Sequence, residues 1–163
     1  MLDFQNKKIF YTMGSGGGIA KKELNAIDRA LLISGAANYN LIKISSILPP
    51  NAKYASKISY DEGSLLPVAI AQKICEPTEE KVTIAAAIAV GIPEDKDTAG
   101  VIMEWSGVAI EELARENVIS MVETAMRDRG ISKYSIEVSS VEKESSGTDY
   151  VCAIAYVALF FTE

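Results

Sequence analysis

Two adjacent serines, Ser45 and Ser46, are the residues of this chain with the clearest capacity for chemistry. They end an apolar stretch and are followed closely by Pro49 and Pro50. Because proline fixes its own φ and restricts the residue before it, the chain must leave this stretch along a constrained, extended path. A serine hydroxyl held beside the carbonyl that precedes its own residue can attack that carbonyl. The pattern therefore allows a chain that cuts its own backbone and makes an electrophile.

Histidine does not occur among the 163 residues. This excludes Ser-His-acid and Cys-His nucleophile systems as well as histidine zinc sites. Cys75 and Cys152 are far apart and form no Cys-x-x-Cys pair, so we expect two buried, reduced thiols and no metal. Any chemistry must use carboxylates, hydroxyls, lysines, backbone groups, or a bound or self-made cofactor.

Composition predicts an ordinary globular protein, with 48% apolar and 23% charged residues, and its length predicts a single domain over residues 1–163. The net charge of −6 argues against a nucleic-acid partner, since phosphate binding needs clustered Lys and Arg. No apolar run approaches about 18 residues, so we expect no membrane span. Residues 1–8 carry charges without an apolar centre, which is not typical of a secretory signal. We therefore expect a cytoplasmic protein.

Periodicity predicts two main helices, over residues 20–34 and 108–130, ended by Gly35 and Gly130. In the first helix, Leu24, Ile27 and Leu31 are predicted to face the core. The predicted buried stripe of the second consists of Ile110, Leu113, Ala114, Val118, Met121, Val122 and Ala125. Strands are predicted over residues 8–13, 39–45, 65–75, 82–92, 101–105, 134–143 and 150–161; apolar and polar residues alternate in those at 39–45 and 134–143.

Two connections are also predicted. Residues 14–18, Gly-Ser-Gly-Gly-Gly, are expected to form a mobile loop over a surface. A phosphate-binding loop is the alternative, but the Gly-Lys-Ser/Thr sequence that it needs does not follow. The strands at residues 134–143 and 150–161 flank a turn-forming segment and are expected to pair as a closing hairpin.

The strands at residues 82–92 and 150–161 are apolar on both faces. A strand buried on both sides needs two covering layers, and two helices cannot supply all of them. We therefore predict a layered αββα-type sandwich of mainly antiparallel sheets with two main helices, an α/β fold that associates with copies of itself.

Five segments together resemble the pyruvoyl-dependent arginine decarboxylases. The resemblance extends from about residue 13 to residue 161, and its specific parts are Ser-Ser-Ile-Leu-Pro-Pro at residues 45–50 and Ile-Met-Glu at residues 102–104. The segments that carry it are residues 24–32, 40–50, 62–67, 92–96 and 100–107.

The resemblance implies that the chain cleaves itself between Ser45 and Ser46 into residues 1–45 (the β chain) and 46–163 (the α chain). Ser46 would become a covalent pyruvoyl group, and no metal would be needed. That group would form a Schiff base with L-arginine, releasing CO₂ and agmatine. The resemblance also implies a homo-oligomer, a trimer or a dimer of trimers, with the site between subunits.

Three further residues match positions with roles in that family. Asn40 matches a position implicated in self-processing, and Glu104 matches the proton donor. Asp28 matches the aspartate that binds the substrate guanidinium, a group that carboxylates hold bidentately. The chain departs from the family pattern at Arg29, where a small residue is common, and at Lys43, where arginine is familiar; Arg29 could pair with Asp28 or crowd the guanidinium pocket.

Two alternatives stay open at this point. The same chemistry could act on another amino acid. The chain could also be an unprocessed, non-catalytic relative that serves as an oligomeric binding or scaffold subunit. Intact mass after purification separates processed from unprocessed protein.

Overall fold

The structure is a computed structural model that describes residues 8–162. Its two helices are α1 (Glu23–Ser34) and α2 (Glu111–Asp128). Its strands are β1 (Lys8–Ala20), β2 (Asn40–Lys43), β3 (Ile47–Leu48), β4 (Lys53–Tyr54), β5 (Leu65–Cys75), β6 (Thr83–Pro93), β7 (Gly100–Val108), β8 (Tyr134–Glu144) and β9 (Tyr150–Thr162).

The strands form two sheets that stack face to face. The first sheet has the order β2-β5-β9-β1-β4, and the second has the order β3-β7-β6-β8. Neighbouring strands are antiparallel except in two pairs of the first sheet, β2–β5 and β1–β4, which are parallel. The short strands β2 and β3 lie at the same side of the two sheets, because β5 and β7, their neighbours, face each other there.

Three apolar cores hold four layers together. One core lies between the sheets, a second between α1 and the first sheet, and a third between α2 and the second sheet. Strands β6 and β9 are buried almost throughout because each is covered on both faces. The predicted αββα sandwich of mainly antiparallel sheets with two helices is confirmed.

The glycine-rich segment is part of a strand, so the predicted mobile loop at residues 14–18 was wrong. Strand β1 continues through the glycines to Ala20 and pairs with β9 along its whole length. The reason is helix packing: a Cβ on Gly18 would lie 2.1 Å from the Ala26 carbonyl oxygen of α1, and one on Gly16 would lie 2.7 Å from that of Ala30. The missing side chains allow α1 to lie directly on the strand.

The predicted core face of α1 was also wrong in part. The fully buried residues of α1 are Ala26 and Ala30, while Leu24 is 75% exposed and Ile27 and Leu31 are partly buried. Small side chains face the sheet because the helix lies so close to it. The helix begins three residues later than predicted, at Glu23, and ends at Gly35, whose φ of 93° is the predicted left-handed stop.

The second helix follows its predicted stripe more closely. Its buried residues are Ala114, Val118, Val122, Ala125 and Met126. The predicted members Ile110, Leu113 and Met121 are instead among the exposed apolar residues.

The predicted closing hairpin was wrong. Strand β8 pairs with β6 in the second sheet, whereas β9 pairs with β1 and β5 in the first sheet. The segment between β8 and β9 therefore carries the chain from one sheet to the other. Two consecutive strands joined by a turn can either pair as a hairpin or pack face to face in different sheets, and the local sequence does not distinguish the two arrangements.

Within residues 8–162, neither helix is long and apolar enough to cross a membrane.

Candidate active site

The peptide bond between Ser45 and Ser46 lies where the chain passes from the first sheet to the second. The Ile44 amide donates to the Val68 carbonyl of β5 at 2.9 Å, which extends the pairing of β2 by one residue. One residue after Ser45, the Ser46 carbonyl accepts from the Ile102 amide of β7 at 2.8 Å. The two flanks are thus anchored to different sheets, and the Ser45–Ser46 peptide spans the gap between them.

The groups that self-cleavage would use are free of hydrogen bonds. Neither serine hydroxyl, nor the Ser45 carbonyl, has a hydrogen-bond partner among residues 8–162, and both serines are exposed. Downstream, Leu48 is 2% exposed and anchors β3 in the core between the sheets. The Ser45–Ser46 peptide is therefore anchored on both sides, while the two hydroxyls and the Ser45 carbonyl make no hydrogen bond among residues 8–162.

Glu104 lies in a cleft at this same side of the sandwich. It is two residues after Ile102 on β7, and alternate strand residues share a face, so Glu104 faces the first sheet as Ile102 does. Its carboxylate Oε1 lies 3.5 Å from Nζ of Lys43, the last residue of β2. The Glu104 side chain is 35% exposed. Its surroundings are thus a polar cleft that solvent reaches.

The cleft has a volume of about 380 Å³. It lies between β5 and β7, and the Ser106 hydroxyl donates to the Gln72 carbonyl across it at 2.9 Å. This hydrogen bond joins the two sheets at residues that line the cleft. Besides Lys43 and Glu104, the cleft is lined by Ile70, Ala71, Gln72, Trp105 and Ser106.

Asn40 lies at the opposite end of β2 from the two serines. Its side-chain amide donates to the Gly63 carbonyl at 2.7 Å, and its backbone amide donates to the Ser64 carbonyl at 2.9 Å. Both contacts fix the start of β2 against the turn before β5. Within one chain, therefore, the Asn40 amide is engaged with this turn and not with the Ser45 carbonyl.

Asp28 is exposed on α1, the layer that covers the outer face of the first sheet. The cleft of Glu104 opens at the edge between the two sheets, so a single chain does not bring Asp28 and Glu104 together. Arg29 does not pair with Asp28; its guanidinium donates to the Ile19 carbonyl of β1 at 2.5 Å. The Asp28 carboxylate has no ion-pair partner among the described residues.

Comparison with known proteins decides the family. The family model for pyruvoyl-dependent arginine decarboxylase matches residues 8–163. The chain belongs to the pyruvoyl-dependent arginine decarboxylase family.

Individual relatives agree with the family match. A protein of Methanococcus vannielii named pyruvoyl-dependent arginine decarboxylase is 39% identical over 148 residues, which are 90% of this chain and 87% of that protein. A protein of the same name from Thermococcus kodakarensis is 37% identical over 155 residues, 94% of this chain and 95% of that protein. Another, from Methanocaldococcus jannaschii, is 37% identical over 147 residues, 90% of this chain and 87% of that protein.

Membership in the pyruvoyl-dependent arginine decarboxylase family implies a covalent pyruvoyl group, and the residues present fit it. Such a group can be made from a serine whose hydroxyl is free and whose preceding carbonyl is accessible, and Ser46 meets both conditions. Its carbonyl accepts from the amide of Ile102, which lies two residues before Glu104 on β7. In residues 8–162, no three Cys, Asp or Glu side chains converge in the way that a metal ion would need.

Two features of the site were missed by reasoning from the sequence. The ion pair between Lys43 and Glu104 and the hydrogen bond between Ser106 and Gln72 each join residues of different sheets. Neither pair is close in sequence or shares a strand, and no local pattern indicates them. Only the stacking of the two sheets brings them together.

Proposed function

We propose that this chain is a self-processing enzyme that converts L-arginine to agmatine and CO₂ with a pyruvoyl group made from its own Ser46. One observation carries the proposal. The Ser45–Ser46 peptide bridges two sheets, with hydrogen-bonded anchors on both sides and unpaired hydroxyl and carbonyl groups between them, and the anchor on the second sheet, Ile102, lies two residues before Glu104.

Cleavage begins with attack of the Ser46 hydroxyl on the Ser45 carbonyl carbon. The C–N bond breaks, the hydroxyl proton passes to the departing amine, and an ester joins the two residues. Loss of the Ser46 α-proton then expels the Ser45 carboxylate by β-elimination and leaves dehydroalanine at position 46. One water molecule hydrolyses the dehydroalanine, through its imine tautomer, to the pyruvoyl ketone and ammonia. The tetrahedral oxyanion of the first step needs a preorganised donor; losing one typically raises the barrier by about 2.7–4 kcal/mol.

The hydrogen bonds on both sides of the Ser45–Ser46 peptide would keep the two new chain ends in place after cleavage. The Ile44 and Ser46 hydrogen bonds to β5 and β7 do not involve the bond that breaks, so both new ends can remain in place. Asn40 supports self-processing, in this proposal, by tying the start of β2 to the Gly63 turn and so setting the position of β2 relative to β5. A shift of β2 along β5 would move Ser45 away from Ile102 of β7, the residue that binds the Ser46 carbonyl.

A pyruvoyl group at position 46 would supply a ketone for an amine substrate and an electron sink for decarboxylation. The protein binds the substrate, orients it and returns a proton to its α-carbon. Glu104 is the proposed proton donor because its carboxylate lies in the cleft against Lys43, two residues before Ser45, and because its strand binds the Ser46 carbonyl through Ile102. General acid catalysis of this kind contributes roughly 10²–10⁴-fold.

Asp28 is the proposed partner of the arginine guanidinium, and this requires a second copy of the chain. Its carboxylate is free and exposed, and lies away from its own cleft. Several large apolar side chains are also exposed near α1 and the β2 edge: Leu24 at 75%, Ile33 at 69% and Leu65 at 64%. Association of copies, as a trimer or a dimer of trimers, would bury such side chains and bring Asp28 of one copy to the cleft of another.

Ser46→Ala, with Ser45→Ala as the matched control, tests self-processing. Ser46→Ala removes the attacking hydroxyl and should leave one chain of 163 residues without activity. Ser45→Ala keeps the attacked carbonyl and should still give two fragments. Intact mass and a denaturing gel report the outcome, and agmatine formation from arginine reports activity.

Three results would contradict this proposal. The first is wild-type protein that stays intact yet forms agmatine. The second is a processed Ser46→Ala variant. The third is processed protein that turns over another amino acid but not arginine, which would keep the self-cleavage and reject the substrate.

A further inference from the structure

The ion pair between Lys43 and Glu104 crosses the cleft from one sheet to the other. Lys43 ends β2 in the first sheet, two residues before Ser45, and Glu104 lies on β7 in the second sheet. Their charged atoms are 3.5 Å apart, and the side chains are 68% and 35% exposed. Exposed pairs of this kind contribute little to folding stability, because solvent screens them and both side chains lose rotamer freedom.

The main effect of the ion pair is therefore on the orientation of the Glu104 side chain and not on folding stability. Without a partner, a partly exposed glutamate on a strand next to an open cleft samples several rotamers. The contact uses Oε1 alone, and no other group among residues 8–162 binds the carboxylate. Oε2 is left free to carry a proton towards a reacting atom in the cleft.

We propose that Lys43 is a positioning residue for Glu104, which holds the carboxylate so that its free oxygen faces the substrate α-carbon. This inference rests on the role of Glu104 in the proposed function. It also gives the pair a second property: after cleavage, Lys43 belongs to residues 1–45 and Glu104 to residues 46–163. The ion pair then joins the two fragments at the site itself.

A zero-length carbodiimide cross-link tests the contact in processed wild-type protein. The reagent joins an amine to a carboxylate in direct contact, so it should link the two fragments into a full-length band through Lys43 and Glu104. Mass spectrometry of the digested band identifies the linked peptides. The exposed pair of Lys81 and Glu144, 3.2 Å apart and wholly within the larger fragment, is the internal control for the reagent. Lys43→Arg should lose the Lys43–Glu104 peptide, because a guanidinium does not couple.

Kinetics test the positioning role. Lys43→Met should lower kcat by roughly 10- to 100-fold, the range expected when a catalytic group is displaced by about 1 Å. KM for arginine should change by less than about threefold, since Lys43 is not proposed to bind substrate. Lys43→Arg should recover most of kcat because the guanidinium can bridge the same distance. Lys81→Met, which removes a similar pair outside the cleft, should match the wild-type protein.

The outcomes separate this inference from the proposed function. If Glu104→Gln abolishes turnover while Lys43→Met keeps the wild-type kcat, the positioning role is refuted and the acid role stands. If Glu104→Gln itself retains turnover, the acid role in the proposed function fails. If the Lys81–Glu144 cross-link forms in processed protein and the Lys43–Glu104 cross-link does not, the inference is refuted.

Discussion

Gly18→Ala should destabilise the protein, although alanine is normally the better residue in a strand. A Cβ at Gly18 would lie 2.1 Å from the Ala26 carbonyl oxygen and 2.6 Å from the Ala30 amide nitrogen. Both atoms belong to the backbone of α1, which cannot rotate away as a side chain can. To restore an ordinary contact of 3.4 Å, the Ala26 oxygen would have to move by about 1.3 Å, and the helix with it.

The size of the effect follows from two opposed contributions. Replacing glycine by alanine reduces the entropy of the unfolded chain and by itself stabilises by about 0.4–1 kcal/mol. Overpacking of a close-packed contact typically costs about 1–3 kcal/mol, and here the obstacle is rigid. We therefore expect a net loss of about 1–2 kcal/mol in the free energy of unfolding.

Gly17→Ala is the matched control, one residue away on the opposite face of β1. Its Cβ would lie 2.2 Å from Cδ of Lys143, and the three nearest atoms all belong to that flexible side chain. The lysine can change rotamer, so we expect a change within about 0.5 kcal/mol. Both variants are made in the Ser46→Ala background, which keeps one continuous chain, and are compared by urea unfolding at equal protein concentration.

Equal stability of Gly18→Ala and Gly17→Ala would refute this reasoning, because it would mean that α1 does not lie against β1. Equal stability of the two variants is also the result expected if residues 14–18 formed the mobile loop predicted from the sequence. If the reasoning holds, processed Gly18→Ala protein should in addition have a higher KM for arginine, since Asp28 lies on the displaced helix.

Three further predictions follow from the structure. Residues 1–45 should co-elute with the larger fragment in size-exclusion chromatography without denaturant, because β1 lies inside the first sheet between β9 and β4; a separate small peak would contradict this. Asp28→Asn should raise KM for arginine at least tenfold without reducing self-cleavage. The control Asp128→Asn, on α2, should leave KM unchanged. Equal changes of KM in the two variants would contradict the assignment of Asp28 to the guanidinium. Burial raises the pKa of the Cys152 thiol to about 12, whereas Cys75 is partly exposed. At pH 8 a thiol reagent should therefore modify Cys75 and leave Cys152 unmodified until the protein unfolds. Reaction of Cys152 before unfolding would show that the core opens.

Features set by local pattern were predictable from the chain alone. The strands that became β6 and β9 are apolar on both faces, and this requirement for two covering layers led to the four-layer sandwich. The stop of α1 at Gly35 depends on one left-handed residue and was predicted for that reason. The adjacent serines followed by prolines indicated the proposed self-cleavage site, because that proposal depends on residues that are neighbours in sequence.

Other features depended on which helix and sheet surfaces pack against each other, and the local sequence pattern does not indicate this. Four glycines in five residues indicate flexibility in isolation, yet here their missing side chains let a helix lie on a strand. The turn-forming segment between the last two strands suits a hairpin equally well, and only the tertiary structure shows that the two strands belong to different sheets. The sequence thus determined most of the helices and strands and the adjacent position of the two serines, because each depends on the chemistry of neighbouring residues. Only the tertiary structure decided that Lys43 contacts Glu104 and that Asp28 of the same chain lies away from Glu104. Both results depend on how whole sheets and helices pack.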